Sequence, residues 1–305
     1  MNRFKKIITV IKKIMGYEEI FTVAYRDKRE NEEYEIIKPN SKWWFADPIV
    51  FKWKAQEYLF CEMYDRKKLK GCIGVSKIIE NKISMPQKII EEAFHMSYPY
   101  VFAIEDKVFM LPETSASETL NFYEAIDFPR EWKKVSTIPL KEKYVDTDVF
   151  FENGKIILLS SVLNPDNAFE SKQVIDEAVY EDGKFQLCRE KHYVMNDYNL
   201  CTRNAGRLVE RKGKKLRPMQ YSLNKVYGSQ LAFSEWESER RGEEKIEKEL
   251  LPENIKSKEQ KKIIGVHTYG ESELFEIIDI KILVFNSKKW INRMRKKYES
   301  FIYNK

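Results

Sequence analysis

Apolar and polar positions alternate in short runs along most of this 305-residue chain, and the runs recur as hairpins. Phe45-Ala46-Asp47-Pro48-Ile49-Val50-Phe51 leads, after a turn, into Glu57-Tyr58-Leu59-Phe60-Cys61-Glu62-Met63. Ser97-Tyr98-Pro99-Tyr100-Val101-Phe102 leads into Lys107-Val108-Phe109-Met110-Leu111-Pro112-Glu113. Val145-Asp146-Thr147-Asp148-Val149-Phe150-Phe151 crosses Asn153-Gly154 into Lys155-Ile156-Ile157-Leu158-Leu159. Arg203-Asn204-Ala205-Gly206-Arg207-Leu208-Val209 crosses Lys212-Gly213 into Leu216-Arg217-Pro218-Met219-Gln220. A degenerate fifth copy joins Ile264-Gly265-Val266-His267-Thr268-Tyr269 to Leu274-Phe275-Glu276-Ile277-Ile278-Asp279. Period-two alternation bounded by turn residues predicts strands. Recurrence of one hairpin at roughly 50–60 residues predicts propeller blades. The expected fold is all-β, a five-bladed β-propeller over residues 20–285.

Three stretches depart from that pattern. Residues 20–27 alternate ahead of the first hairpin and are expected to complete the last blade, which closes the ring and removes exposed strand edges. Residues 235–262 carry mixed charge without alternation and are expected to be an exposed helical or mobile insertion in the fourth blade. At the ends, Phe4, Ile7, Ile8, Ile11, Ile14 and Met15 fall at helical spacing with lysines opposite, and Trp290, Met294, Phe301 and Ile302 repeat the design. Short basic amphipathic helices are therefore expected over 1–19 and 286–305.

Charge sharpens this picture. The net charge is +6, yet residues 1–15 hold five cations and no acid, and residues 286–305 hold seven cations against Glu299. The body is thus mildly acidic between basic ends, which argues against a nucleic-acid groove. The ends suit an anionic membrane surface, or packing on the propeller. No apolar run reaches the roughly 20 residues that span a bilayer, and lysines interrupt the first apolar stretch, so no secretory signal is expected. Cys61, Cys72, Cys188 and Cys201 lack CxxC spacing and read as thiols in a reducing cytoplasm. The expected location is cytoplasmic, peripheral at the inner face of the plasma membrane.

Propeller inner strands begin near one axis, so equivalent repeat positions converge. Those positions hold Asp47, Tyr98, Asp146 or Asp148, Arg203 with Asn204, and His267, with His95 just upstream of the second copy. Aspartate before proline also caps turns, so Asp47 has a structural alternative. Glu62 and Glu113 end apolar strands, where a carboxylate is costly to bury unpartnered. They are read either as a raised-pKa acid or sugar-hydroxyl acceptor, or as partners of Arg203 or Arg207. Arg203 and Arg217 suit a phosphate or carboxylate, with structural pairing as the equal alternative. Trp43, Trp44 and Tyr98 have two readings, stacking on sugar faces beside the opening or, as is more usual for aromatics here, packing between blades. No metal and no cofactor is expected.

In combination, Ala46-Asp47-Pro48, His95-Met96-Ser97-Tyr98-Pro99, Leu111-Pro112-Glu113-Thr114-Ser115, Val145-Asp146-Thr147, Arg203-Asn204-Ala205-Gly206, Arg217-Pro218-Met219-Gln220 and Gly265-Val266-His267-Thr268 carry a resemblance. Over about residues 20–280 the chain resembles the five-bladed propellers related to glycoside hydrolase family 43. It is most similar to the propeller that precedes the transferase domain in glucosamine inositolphosphorylceramide transferases, and to relatives in bacterial polysaccharide gene clusters. The resemblance implies Asp47 as general base and Asp146 as the carboxylate that orients the acid. The acid it implies is a fourth-blade Glu, and here that position reads Thr202-Arg203-Asn204-Ala205. Glu113 is the expected substitute, since an inverting glycosidase needs an acid opposite its base. Two functions follow as expectations: glycosidic-bond hydrolysis or glycosyl transfer on a lipid-linked or nascent surface glycan, or non-catalytic glycan presentation to a partner glycosyltransferase. Tyr98, His95, Arg203, Asn204, Arg217, His267, Trp44 and Glu62 are the expected substrate-binding residues.

Overall fold

The computed structural model describes residues 15–29, 33–80, 82–236, 245–287 and 290–291. Five sheets, antiparallel apart from one short parallel pairing in the last, follow one another along the chain as the five blades of a propeller. Their innermost strands are Trp43–Trp53, Ser97–Ile104, Tyr144–Glu152, Arg203–Asn204 and Ile263–Glu271. The core lies between the sheets as the inter-blade apolar layers of a propeller. Blades two and three meet through Phe102, Phe109, Phe122 and Phe185, with Phe122 and Phe185 stacked at 4.2 Å. Blades four and five share Leu231, Phe233, Tyr269 and Ile278. Cys61 and Cys72 lie on neighbouring strands of the first blade as buried free thiols, and the Cys72 thiol donates to the Met63 carbonyl.

Ring closure follows the alternation of the early chain. Tyr17–Asp27 pairs along its whole length with Phe275–Phe285 and so becomes the third strand of the last blade. Glu33–Ile36 adds the fourth strand, and Lys256–Ser257 pairs with it in parallel. This strand begins at Tyr17, so the expected N-terminal helix does not extend to residue 19; a strand that must cover Phe285 takes those residues instead. The remainder of both expected terminal helices lies almost wholly outside the described residues. The charged stretch also differs from expectation. Ile246–Leu250 is the outer strand of the fourth blade, paired with Gln230–Glu235, because an outermost strand has a solvent face and tolerates its charges. Residues 237–244 lie outside the described residues.

Four inner strands carry the same irregularity near their start. Residues 47–48, 98–99, 146–147 and 267–268 each insert two residues opposite one partner residue, the arrangement of a β-bulge. The opposed residues are Cys61, Pro112, Ser160 and Asp279. At Asp47, Tyr98 and Asp146 the backbone is left-handed, with φ of 52°, 42° and 48°. Non-glycine residues seldom hold that conformation, and they keep it only where the surroundings enforce it. Proline follows at 48 and 99, where the bulge demands no ladder N–H. In four of the five blades the bulge thus re-aims a polar side chain, and does so at equivalent positions of the inner strands.

Candidate functional site

Asp47 is the centre of the resulting cluster and is 3 % exposed. Its carboxylate accepts the Tyr98 backbone N–H at 3.1 Å and the Thr268 hydroxyl at 2.9 Å. Burial pushes it up to about 6, against the attraction of His267 and with the repulsion of Asp146 and Asp279. Asp146 is also raised to about 6, by burial first, opposed by Arg203 and reinforced by Glu113. Gln220 donates to its Oδ2 at 2.9 Å, and the Arg203 Nε–H donates to the same oxygen. Arg203 reaches on to Glu113 at 3.5 Å, so one guanidinium joins two carboxylates from two blades. Glu113 also accepts the Ser115 hydroxyl at 2.8 Å.

Glu62 is 5 % exposed and stands well above the usual carboxylate range, because of burial and then the charges of Asp47 and Glu113. Its Oε1 lacks a hydrogen-bond partner, and the nearest cation-capable atom is His95 Nε2 at 3.5 Å. His95 is held by the Gly71 N–H, which donates to Nδ1, and burial lowers its pKa. The structure therefore brings together Asp47, Glu62, Glu113, Asp146, Arg203, His95 and His267, whose mutual charges act on one another. Half-buried aromatics border this cluster. Trp44 stacks on Tyr64 at 4.4 Å and 12°, Tyr64 lies 6.1 Å from His95, and Phe21 lies between Trp44 and His267.

Three expected binding residues have interior tasks instead. Tyr98 is fully buried; its hydroxyl donates to Asp148 at 2.8 Å and accepts the Gly206 N–H at 2.7 Å, leaving no ring face for a sugar. Burial holds Asp148 at about 8, opposed by that Tyr98 hydrogen bond. Asn204 is a strut between blades three and four. Its Nδ2 donates to the Asp146 and Leu159 carbonyls, and its Oδ1 accepts from Gln173 and Arg217. Arg217 is 0 % exposed and donates to Asn204 and to the Thr202 carbonyl, so it is a buried structural cation. Asn204 and Arg217 thus satisfy interior carbonyls of Asp146, Leu159 and Thr202 rather than facing a ligand.

Two residues that the repeat did not flag complete the site. Asp279 stands opposite the fifth-blade bulge, and its carboxylate gathers four donors. Oδ1 accepts the His267 and Thr268 N–H groups, and Oδ2 accepts the Asp47 N–H at 3.0 Å and His267 Nδ1 at 2.6 Å. Tyr227, from the loop between the second and third main strands of the fourth blade, places its hydroxyl 2.5 Å from His267 Nε2. An acid flanked by Ile277, Ile278 and Ile280 was a signal for Asp279; nothing in the pattern singled out Tyr227. Burial by itself would lower the His267 pKa, but the charges of Asp279 and Asp47 outweigh it and raise the group above its ordinary value. Asp47, His267 and Asp279 bring ligand atoms within 4.8 Å of one another. These atoms are already occupied by donors of the cluster itself, and a cation among them would meet N–H groups, so the trio reads as a hydrogen-bonded hub.

Comparison with known proteins agrees with this architecture. The family described as "Glucosamine inositolphosphorylceramide transferase 1, N-terminal" matches residues 37–294. Glucosamine inositolphosphorylceramide transferase 1 of Arabidopsis thaliana is 34% identical over 118 residues, which is 38% of this chain and 15% of that protein. Its counterpart in Oryza sativa subsp. indica is 26% identical over 222 residues, 71% of this chain and 29% of that protein. The chain thus spans less than a third of the length of either plant relative. Among solved structures, the GH62 α-L-arabinofuranosidase catalytic domain of Coprinopsis cinerea superposes with TM-score 0.54 at 10% identity, over 80% of this chain and 93% of that one. An endo-1,4-β-xylanase of Bacteroides thetaiotaomicron gives 0.53 at 11%, over 75% and 80%. At such identities the solved structures speak for the fold alone. With the family match over most of its length, the chain belongs to the family of the N-terminal domain of glucosamine inositolphosphorylceramide transferase 1, a carbohydrate-related five-bladed propeller.

Proposed function

We propose that the axial cluster binds a sugar of a glycan or glycolipid and breaks or transfers a glycosidic bond there, with Asp47 as the general base. One observation carries this reading: a buried carboxylate raised to about 6 is turned inward by a left-handed bulge residue, beside half-buried aromatic rings. A base works best when its pKa lies near the operating pH. Each Asp47 oxygen accepts a single hydrogen bond from the neighbouring blades, and a carboxylate has room for more. Asp146 and Glu113 hold Arg203 in place, and Arg203 supplies positive charge for a sugar hydroxyl, a carboxylate or a phosphate. Trp44 and Tyr64 offer an apolar face to a pyranose ring. The plant relatives, glucosamine inositolphosphorylceramide transferases, point to glucosamine on a phosphorylated lipid as the first substrate class to try.

A second reading is glycan presentation to a partner glycosyltransferase, without chemistry at the axis. It is favoured by the fourth blade, which reads Thr202-Arg203-Asn204-Ala205 where the resemblance implies the general-acid Glu. Calorimetric binding and product analysis with glucosaminyl and N-acetylglucosaminyl glycosides and glycolipids separate the two. Turnover by the wild type and its loss in Asp47→Asn, with binding kept, supports the first. Binding without turnover leaves the second, and absence of binding ends both. We place the protein at the cytoplasmic face of an anionic membrane on the charge of its ends; no helix among the described residues is long and apolar enough to cross a membrane. Flotation on phosphatidylserine vesicles, with and without residues 1–14 and 288–305, tests that placement, and equal flotation of both forms removes it.

A further inference from the structure

The fourth blade lacks a carboxylate at its inner strand, yet it sends one ionisable side chain to the cluster by another route. Tyr227 sits on the loop between Lys214–Tyr221 and Gln230–Glu235. Its hydroxyl meets His267 Nε2 at 2.5 Å, and His267 Nδ1 meets Asp279 at 2.6 Å. The three groups form a continuous line from the interior, where Asp279 is 0 % exposed, to a half-buried phenol.

The packing shows that the loop is built to this position. A Cβ on Gly265, in the fifth inner strand, would lie 2.1 Å from the Gly228 carbonyl oxygen. A Cβ on Gly228, where φ is +58°, would press on Phe21 and on the His267 Cβ at 3.0–3.2 Å. Two glycines face each other so that the loop can lie against the strand that carries His267. The Tyr227 carbonyl accepts the Lys281 ammonium, which also lies 5.7 Å from the Tyr227 ring, and the Arg203 guanidinium lies 5.3 Å from that ring. Burial raises the Tyr227 phenol well above its ordinary value, opposed by Arg203 and reinforced by Asp146, Asp47 and Glu113, so the hydroxyl is held in its protonated form.

We propose that Tyr227 is the proton donor of the axial site and that His267, oriented by Asp279, recharges it. The proposal rests on the enzymatic reading above and supplies the acid which that reading leaves open. With Nδ1–H directed at Asp279, a protonated His267 directs Nε2–H at the Tyr227 oxygen, so the phenolic O–H turns toward substrate. As the glycosidic C–O bond breaks, its electron pair goes to the leaving oxygen, which takes the Tyr227 proton. The Tyr227 oxygen takes the Nε2 proton, and His267 becomes neutral. Asp47 meanwhile takes a proton from the attacking water or sugar hydroxyl. The cluster begins with one imidazolium and one carboxylate and ends with both neutral, so net charge is conserved. The groups that face His267 favour this cycle: Asp279 and Asp47 hold its proton, Asp146 adds to them at longer range, and the Phe21 ring lies 4.9 Å away. Lys281 and Arg203 lie on the Tyr227 side.

The test uses the full chain as wild type, Tyr227→Phe and Asp279→Asn. Three histidines make the ¹⁵N ring signals assignable. His267 should carry protons on both nitrogens at pH 6, its Nε2 signal should shift in Tyr227→Phe, and its titration should move to lower pH in Asp279→Asn. A His267 ring with bare Nε2 at pH 6 overturns the relay. Turnover is then compared between alkyl and 2,4-dinitrophenyl glycosides of glucosamine and N-acetylglucosamine in both anomers, since the aryl leaving group needs no acid. Tyr227→Phe should lose about 100-fold or more on the alkyl glycosides and under about 10-fold on the aryl ones, the range of general acid catalysis. Equal losses on both, or none on the alkyl series, refute it in an active wild type. A wild type inactive on every substrate removes the enzymatic reading and the relay together.

Discussion

Replacing Asp279 with Asn changes one atom at the most heavily used acceptor of the axis. Oδ1 keeps its two N–H donors, His267 and Thr268. The new amide NH₂ takes the place of Oδ2, which accepted the Asp47 N–H and His267 Nδ1. Both of those bonds are lost, and donors now face donors. Hydrogen bonds to a charged group contribute about 1.5–3 kcal/mol each, so the two lost together predict a loss of about 3–6 kcal/mol. The loss should depend on pH. His267 is raised above its unfolded value, so its contribution is fully present below about pH 6.5 and fades as pH rises through the folded value. Asp279→Asn removes the main charge behind that shift, and the gap between wild type and variant should narrow from pH 6 to pH 8. Urea unfolding followed by tryptophan fluorescence at the two pH values measures it. A loss below about 1 kcal/mol at pH 6, or one of equal size at both pH values, would refute the account of Asp279 as the hub.

Turnover should rise with pH through about 6 as Asp47 ionises, and a pH–rate profile that lacks this limb would remove Asp47 as base. Arg203→Met strips Asp146 and Glu113 of their shared cation and should cost about 3–5 kcal/mol, read by the same urea unfolding. Gly265→Ala forces the Gly228 carbonyl to move; overpacking of this kind costs about 1–3 kcal/mol, and the displaced Tyr227 should cut turnover on poor leaving groups more than binding.

The blades and their closure were legible in sequence because period-two alternation survives wherever a sheet packs on a neighbour. The convergence of Asp47, Asp146 and His267 was legible for a related reason, since equivalent strand starts share an axis. The roles of Asn204 and Arg217 were not. A buried arginine is paired through contacts between strands and blades, and alternation within a strand carries no record of which carbonyls need a donor. Tyr227 was missed because it lies in a loop outside the repeat. The outer strand Ile246–Leu250 was missed because a solvent-facing edge allows Glu247, Lys248 and Glu249 in succession.

The pairing of Tyr17–Asp27 with Phe275–Phe285 has a consequence for how the molecule is made. Among the described strands the earliest in sequence docks against the last, so it must wait, edge exposed, while four blades form. Contacts so distant in sequence slow folding and prolong the interval in which an open edge can recruit another chain. Shortening the chain before Phe285 would lengthen that interval indefinitely. The closing strand therefore adds the long-range contacts that slow folding as it completes the last blade.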